Sequence, residues 1–269
     1  MPGFGTISAT QLSRLIGLPD SPAIIDVRTE EDFAADPRLI PGALRVAHDR
    51  VTELTPRIGP RPAVVLCQRG KKLSEGAAAL LRGAGIAAET LEGGWLAWAE
   101  ASLPALPATL LPPPGQSSLW VTRHRPKIDR IACPWLIRRF IDPAARFLFV
   151  APAEVQGVAD NFAAIPFDIE GVTFSHRGDL CSFDAILDDF GLRTEALDRL
   201  SLVVRGADTD RHDLAPQAAG LLAVSVGLSR QFREDLAQLE AGMVLYDALY
   251  RWARDGFDEG HDWPAGRSQ

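Results

Sequence analysis

The sequence predicts an α/β domain built on an open parallel sheet, followed by a helix-rich α+β domain. Three observations carry this prediction. Short apolar runs without polar alternation, residues 24–27 (IIDV) and 63–67 (AVVLC), read as parallel strands covered on both faces. These runs alternate with helical stretches, the pattern of a layered α/β sheet. A charge-free interval between Ala101 and Thr122 then separates this part of the chain from one in which helical patterning dominates.

In the first part, residues 10–16, 30–35, 74–84 and 95–101 have helical patterning, and Gly83 and Gly85 supply stop signals for the third of these. The interval that follows includes LPALPATLLPPPGQSS, whose prolines, among them Pro112, Pro113 and Pro114, favour a semi-rigid, extended linker. The expected units are therefore residues 1–105, a Pro-rich linker at 106–118, and residues 119–269, with both units in the usual domain size range.

In the second part, residues 119–122 and 146–150 (RFLFV) read as strands, and 165–176 (IPFDIEGVTFSH) as a hairpin turning about Glu170 and Gly171. Residues 120–142 concentrate Arg123, Arg125, Lys127, Arg130, Arg138 and Arg139 among Trp135, Leu136, Ile137, Phe140 and Ile141. This places the Arg138-Arg139 pair at the border of a buried helical stripe. Helices are expected at 181–190, 194–205, 216–228 and 231–254.

Composition narrows the function classes. With 269 residues, 46% hydrophobic and 23% charged, the chain is long enough for two cores of ordinary size. A net charge of -7 and a pI near 5.3 lack the basic footprint that a phosphate backbone requires, so nucleic acid is not an expected partner. Cys67, Cys133 and Cys181 are widely spaced and form no CxxC, which favours a reducing cytoplasm over a disulfide framework. No charged start followed by an apolar core is present, and no run of about 18 apolar residues suggests a membrane span.

Cys67 falls where an open parallel sheet presents its ligands, at the C-terminal end of a predicted strand. The following loop, Gln68, Arg69, Gly70, Lys71 and Lys72, turns through glycine, carries three basic side chains and leads into a helix. Its backbone N–H groups and the helix N-terminus can stabilise a thiolate. A cysteine-dependent phosphatase would need a guanidinium six positions after the cysteine to clamp phosphate, and that position is Leu73.

IIDVRTEEDF (24–33), IPGALRV (40–46), VVLCQRGKKLS (64–74) and LEGGWLAW (91–98) occur in an order and spacing that resembles a single-domain rhodanese. The resemblance implies a sulfurtransferase that needs no cofactor. Cys67 would attack a sulfane sulfur, such as that of thiosulfate, become a persulfide and pass the sulfur to a thiophilic small molecule. Residues 68–72 would cradle the persulfide and an oxyanion leaving group, while Asp26 and Arg28 would brace the loop. Leu39 stands where the family often has His, and Lys72-Leu73 where it often has Arg-Ser; the loop length is kept.

In the second part, FSHRGDLCSFDAI (174–186) suggests a strand ending at His176, a tight turn through Gly178, and Cys181 at a helix start. The run RGADTDRHDLAP (205–216) adds Asp208, Asp210, His212 and Asp213. His176, Cys181 and Asp208 together offer an N/S/O donor set for a divalent transition metal, with Asp129 and Arg138 nearby as an oxyanion-handling pair. The alternative at this level is a set of ordinary turns and caps.

WVTR, DRIACPWLIRRFID, PFDIEGVTFSHRGDLCSF, VVRGADT and AGMVLYDALYRWARD, spread over residues 119–255, resemble the C-terminal domain of ChrB-type chromate-resistance proteins. This implies a role in chromate resistance, by sensing or by detoxification, with chromate itself as a partner. Two function classes stay open: an enzyme in which Cys67 turns over, and a chromate- or metal-binding sensor in which Cys67 reports redox state.

Overall fold

The computed structural model describes residues 5–260. The first part runs β1 (Thr6–Ile7), α1 (Ala9–Ser13), β2 (Ala23–Asp26), α2 (Glu30–Ala35), β3 (Arg38–Leu39), β4 (Leu44–Arg45), α3 (Thr55–Ile58), β5 (Ala63–Leu66), α4 (Lys72–Gly83), β6 (Ala88–Leu91) and α5 (Gly94–Glu100). Five of its strands form a parallel sheet in the order β1-β6-β5-β2-β4. All residues of β2 and β5 are buried, as expected for central parallel strands. Successive side chains alternate between faces: Ile24, Val64 and Leu66 join one apolar cluster, and Ile25, Val65 and Cys67 another.

The helices start where local chemistry lets them. Ser8 and Gln11 form a reciprocal capping box at α1. Thr29 caps α2, whose first turn carries Glu30, Glu31 and Asp32 against the positive end of the helix. The two-residue strands β1, β3 and β4 are too short to leave a periodic signal in the sequence.

The chain then forms β7 (Leu106–Pro107), β8 (Leu119–Arg123), α6 (Asp129–Leu136), a π-helical turn (Ile137–Ile141), β9 (Arg146–Val150), α7 (Val155–Phe162), β10 (Ile165–Pro166), α8 (Ser182–Asp189), α9 (Glu195–Asp208), α10 (Gln217–Gln231) and α11 (Asp235–Asp255). A parallel sheet in the order β10-β8-β9 underlies the helices. The expected hairpin at 165–176 is not formed. Ile165 and Pro166 pair in parallel with β8, and the segment then turns so that Phe167 and Phe174 make only an isolated bridge. Phe167 and Phe174 instead insert around the buried Trp120, and burial of these rings outweighs a local ladder.

The proline-rich interval also differs from a plain linker. Its start is tied to the first unit: Leu106–Pro107 pairs antiparallel with Arg38–Leu39, and the Trp98 indole N–H donates to the Pro104 carbonyl at 2.9 Å. Its end is tied to the second, where Asp142 accepts both the N–H and the hydroxyl of Ser118.

The two units do not have wholly separate cores. Leu12, Ile16, Leu18 and Trp98 share one buried cluster with Phe140, Leu192, Leu197 and Tyr250. Gly17 permits the close approach, because a Cβ there would stand 2.3 Å from Cζ of Phe140. The Arg254 guanidinium adds a bond of 2.8 Å to the Arg14 carbonyl. Among the described residues no helix is long and apolar enough to cross a membrane.

Candidate functional site

β5 ends at Leu66, so Cys67 emerges at the C-terminal edge of the parallel sheet with only 5% of its surface exposed. Its carbonyl accepts the Trp95 N–H at 3.0 Å, and that of Gln68 accepts the Leu96 N–H at 3.2 Å, so the first turn of α5 holds the loop. The Cys67 sulfur lies 3.3 Å from the Ser74 hydroxyl, and backbone amides of Lys71, Ser74 and Arg69 face it. α4 begins at Lys72 without a side-chain cap, leaving its free N–H groups on the sulfur side. Burial by itself would push the thiol up; the Ser74 hydroxyl and the three amides outweigh it and hold Cys67 below its ordinary value. Arg69, Lys71 and Lys72 are exposed at the rim. Leu73 packs toward the apolar cluster beneath the sheet.

Gly94 of the GGW stretch makes this loop possible. A Cβ there would lie 2.1 Å from the Cys67 carbonyl oxygen and 2.4 Å from the Gly70 nitrogen, at a φ of +60°. Gly94→Ala therefore combines a left-handed conformation with backbone overlap, each costing of order 1–3 kcal/mol. The expected outcome is a lower thermal midpoint and a displaced Cys67 loop, read by melting and by thiol alkylation rate; wild-type values for both would contradict the interlock.

Asp26 and Arg28 brace the site from a distance. Both side chains are buried, and the Arg28 Nε donates to Asp26 at 2.8 Å. The rest of the guanidinium donates to the carbonyls of Asp36 and Arg38 and lies 4.2 Å from the Trp95 ring centroid. Since Trp95 also holds the Cys67 carbonyl, the pair fixes the support of the loop rather than the loop itself.

In the second unit, a different cluster gathers beyond the C-terminal ends of β8 and β10. His176 Nε2 lies 3.2 Å from Asp208, 3.6 Å from Asp168 and 3.7 Å from Asp129. These residues come from a turn, the last residue of α9, the segment after β10, and the first residue of α6. The turn ahead of Asp129 is pinned by α11: Tyr246 donates to the Ile128 carbonyl and Gln238 to that of Pro126. Asp129 accepts the N–H groups of Ser182 and Phe183 at the start of α8. Burial, then the charges of Asp208 and Asp168, push its carboxyl well above the usual range. His176 is raised to about 10, chiefly by Asp168 and Asp208 beside it, with burial opposing.

The predicted site residues divide accordingly. His176, Asp208 and Asp129 come together, whereas Cys181 does not join them. Its buried thiol caps α8 and points to Asp184 at 3.4 Å, and burial, with Asp129 and Asp184 adding to it, pushes it well above its ordinary value. Cys133 is likewise buried and raised. Arg138 leaves the cluster for Glu240 at 2.6 Å and the Ala145 carbonyl. Asp210 is paired with His212, and Asp213 with Arg211.

Three contributors were missed at the sequence level. Ser74 gives no motif signal, because a serine in a helix's first turn reads as a cap. Asp168 and Arg123 stand at or just beyond the C-terminal ends of parallel strands, where the rule that located Cys67 would have found them. Arg123 and Arg130 both reach Asp168, at 3.0 and 3.3 Å.

The comparisons divide the chain at the same place. Residues 8–101 match the Rhodanese-like domain model, and residues 120–253 match ChrB, C-terminal domain. The chain is a rhodanese-like domain joined to a ChrB C-terminal domain. The Protein ChrB of Cupriavidus metallidurans is 42% identical over 137 residues, half of this chain and 40% of that protein. The rhodanese-like domain is similar in structure to a rhodanese-related protein from Thermoplasma volcanium: 20% identity, 38% of this chain and 96% of that one, TM-score 0.32. It is also similar to a thiosulfate sulfurtransferase from Pseudomonas aeruginosa: 29% identity, 39% of this chain and 19% of that one, TM-score 0.34.

Proposed function

We propose that this protein is a sulfurtransferase acting through a Cys67 persulfide, coupled to a domain that serves chromate resistance. The observation that carries the reading is the environment of Cys67: alone among the three cysteines it is held below its ordinary value, by amides and a hydroxyl converging on sulfur. The Cys67 thiolate attacks the sulfane sulfur of a donor such as thiosulfate; the donor's S–S bond breaks and sulfite leaves with the electron pair. An acceptor thiolate then attacks the outer sulfur and regenerates the Cys67 thiolate. The amides that face Cys67 stabilise the charge that develops on sulfur, and the exposed Arg69, Lys71 and Lys72 draw the oxyanion to the rim.

The test is turnover with thiosulfate and a small thiol, together with mass spectrometry of the sulfur-loaded protein. Many turnovers per chain and one extra sulfur on the Cys67 peptide are expected. A single stoichiometric reaction would point to the redox-sensor alternative, and a persulfide on Cys181 would overturn the assignment. An aryl phosphate should not be hydrolysed, because Leu73 offers no clamp to phosphate; turnover of it that disappears in Cys67→Ser would contradict this.

A further inference from the structure

We propose that Asp129, His176 and Asp208 are ligands of a divalent first-row transition metal, a site independent of the sulfur chemistry at Cys67. One imidazole nitrogen and one oxygen from each carboxylate all lie within 4.8 Å of one another. Metal bonds of 2.0–2.2 Å place neighbouring donors about 3.0 Å apart at right angles and about 3.5 Å apart in a tetrahedron. The observed separations from Nε2 are 3.2 Å to Asp208 and 3.7 Å to Asp129, close to a coordination spacing, and the two carboxylate donors lie within 4.8 Å of each other.

Two further observations favour a cation there. His176 Nε2 faces three carboxylates at 3.2–3.7 Å, more acceptors than its single N–H can serve with full, directed hydrogen bonds. The carboxylates also differ in how they are satisfied. Asp168 is compensated by Arg123 and Arg130 and accepts the Ser182 hydroxyl at 2.9 Å. Asp208, in contrast, ends the fourteen-residue helix α9, where the helix dipole is itself negative, and His176 is its one ion-pair partner among the described residues. A carboxylate in that place is stabilised by positive charge before it, and a bound metal ion supplies more of it than the imidazole does.

The donor set selects the class of ion. One imidazole with two carboxylates and no thiolate suits Mn²⁺, Fe²⁺ or Zn²⁺ rather than a thiophilic metal. Binding exchanges the proton on Nε2 for the metal ion and releases that proton to solvent. The amides of Ser182 and Phe183, bound to Asp129, orient that ligand from behind.

The experiment is equilibrium dialysis of the full chain against Mn²⁺ and, separately, Zn²⁺, followed by elemental analysis and thermal melting. The expected result is about one equivalent of metal per chain and a raised melting temperature. Asp208→Asn should lose both while keeping the wild-type metal-free melting profile within a few degrees; His176→Ala is the second variant. Cys181→Ala should retain the metal. Wild-type protein with no bound metal and an unshifted melt would overturn the proposal, as would binding that survives Asp208→Asn but disappears in Cys181→Ala.

Discussion

Cys67→Ser is expected to lose sulfur transfer by on the order of 10⁴-fold or more, the scale on which removal of a covalent nucleophile acts. The fold should survive, since serine fills nearly the same space at the end of β5. The pH profile gives a second reading of the same site. Catalysis needs the thiolate, so the rate falls as pH drops through the Cys67 pKa. Because Cys67 is held below its ordinary value, the acidic limb should lie below the usual cysteine range near about 8.5. Ser74→Ala removes the hydroxyl that lies 3.3 Å from sulfur and should move that limb upward while leaving melting nearly unchanged. A limb that stays in place in Ser74→Ala would mean that the hydroxyl does not set the thiolate.

Arg28→Ala is expected to destabilise the protein by about 3–5 kcal/mol, because it leaves the Asp26 carboxylate buried and unpaired. Neither side chain of this pair is exposed, so solvent cannot replace the lost guanidinium. The substitution also frees the carbonyls of Asp36 and Arg38 and removes the cation stacked on Trp95. Arg28→Lys keeps the charge but not the fork, so it should fall between alanine and wild type. Denaturant unfolding measures both. A loss under about 1 kcal/mol for Arg28→Ala would place the pair among weak, solvated ion pairs.

These two predictions also differ in how far the sequence led to them. Cys67 was legible because one short segment contains the whole argument: an apolar strand, a cysteine at its end, a glycine turn and a helix start. Asp26 and Arg28 could be assigned a bracing role from strand position, but not their target. Arg28 reaches Trp95 across dozens of intervening residues, and only packing decides that meeting. In the ChrB C-terminal domain, His176 and Asp208 carried a metal signal by residue type alone. Cys181 carried it equally, and the choice between a thiol and Asp129 depended on burial and direction, which sequence spacing does not encode.

The sequence by itself determined the local elements, because strand and helix periods, caps and turn glycines act over a few residues. It therefore specified the central parallel strands, most helices of the second unit and the Cys67 loop. Tertiary structure decided what depends on distant partners. Only Ile165 and Pro166 of the 165–176 segment pair with β8, in parallel, and the rest turns back because Phe167 and Phe174 are buried around Trp120. The proline-rich interval is tied down at both ends because each domain offers it unsatisfied backbone or side-chain partners. The two expected cores merge because apolar side chains on α1 and α5 of the first unit meet those on the π-helical turn and α11 of the second, and Leu12, Trp98, Phe140 and Tyr250 are buried from water together.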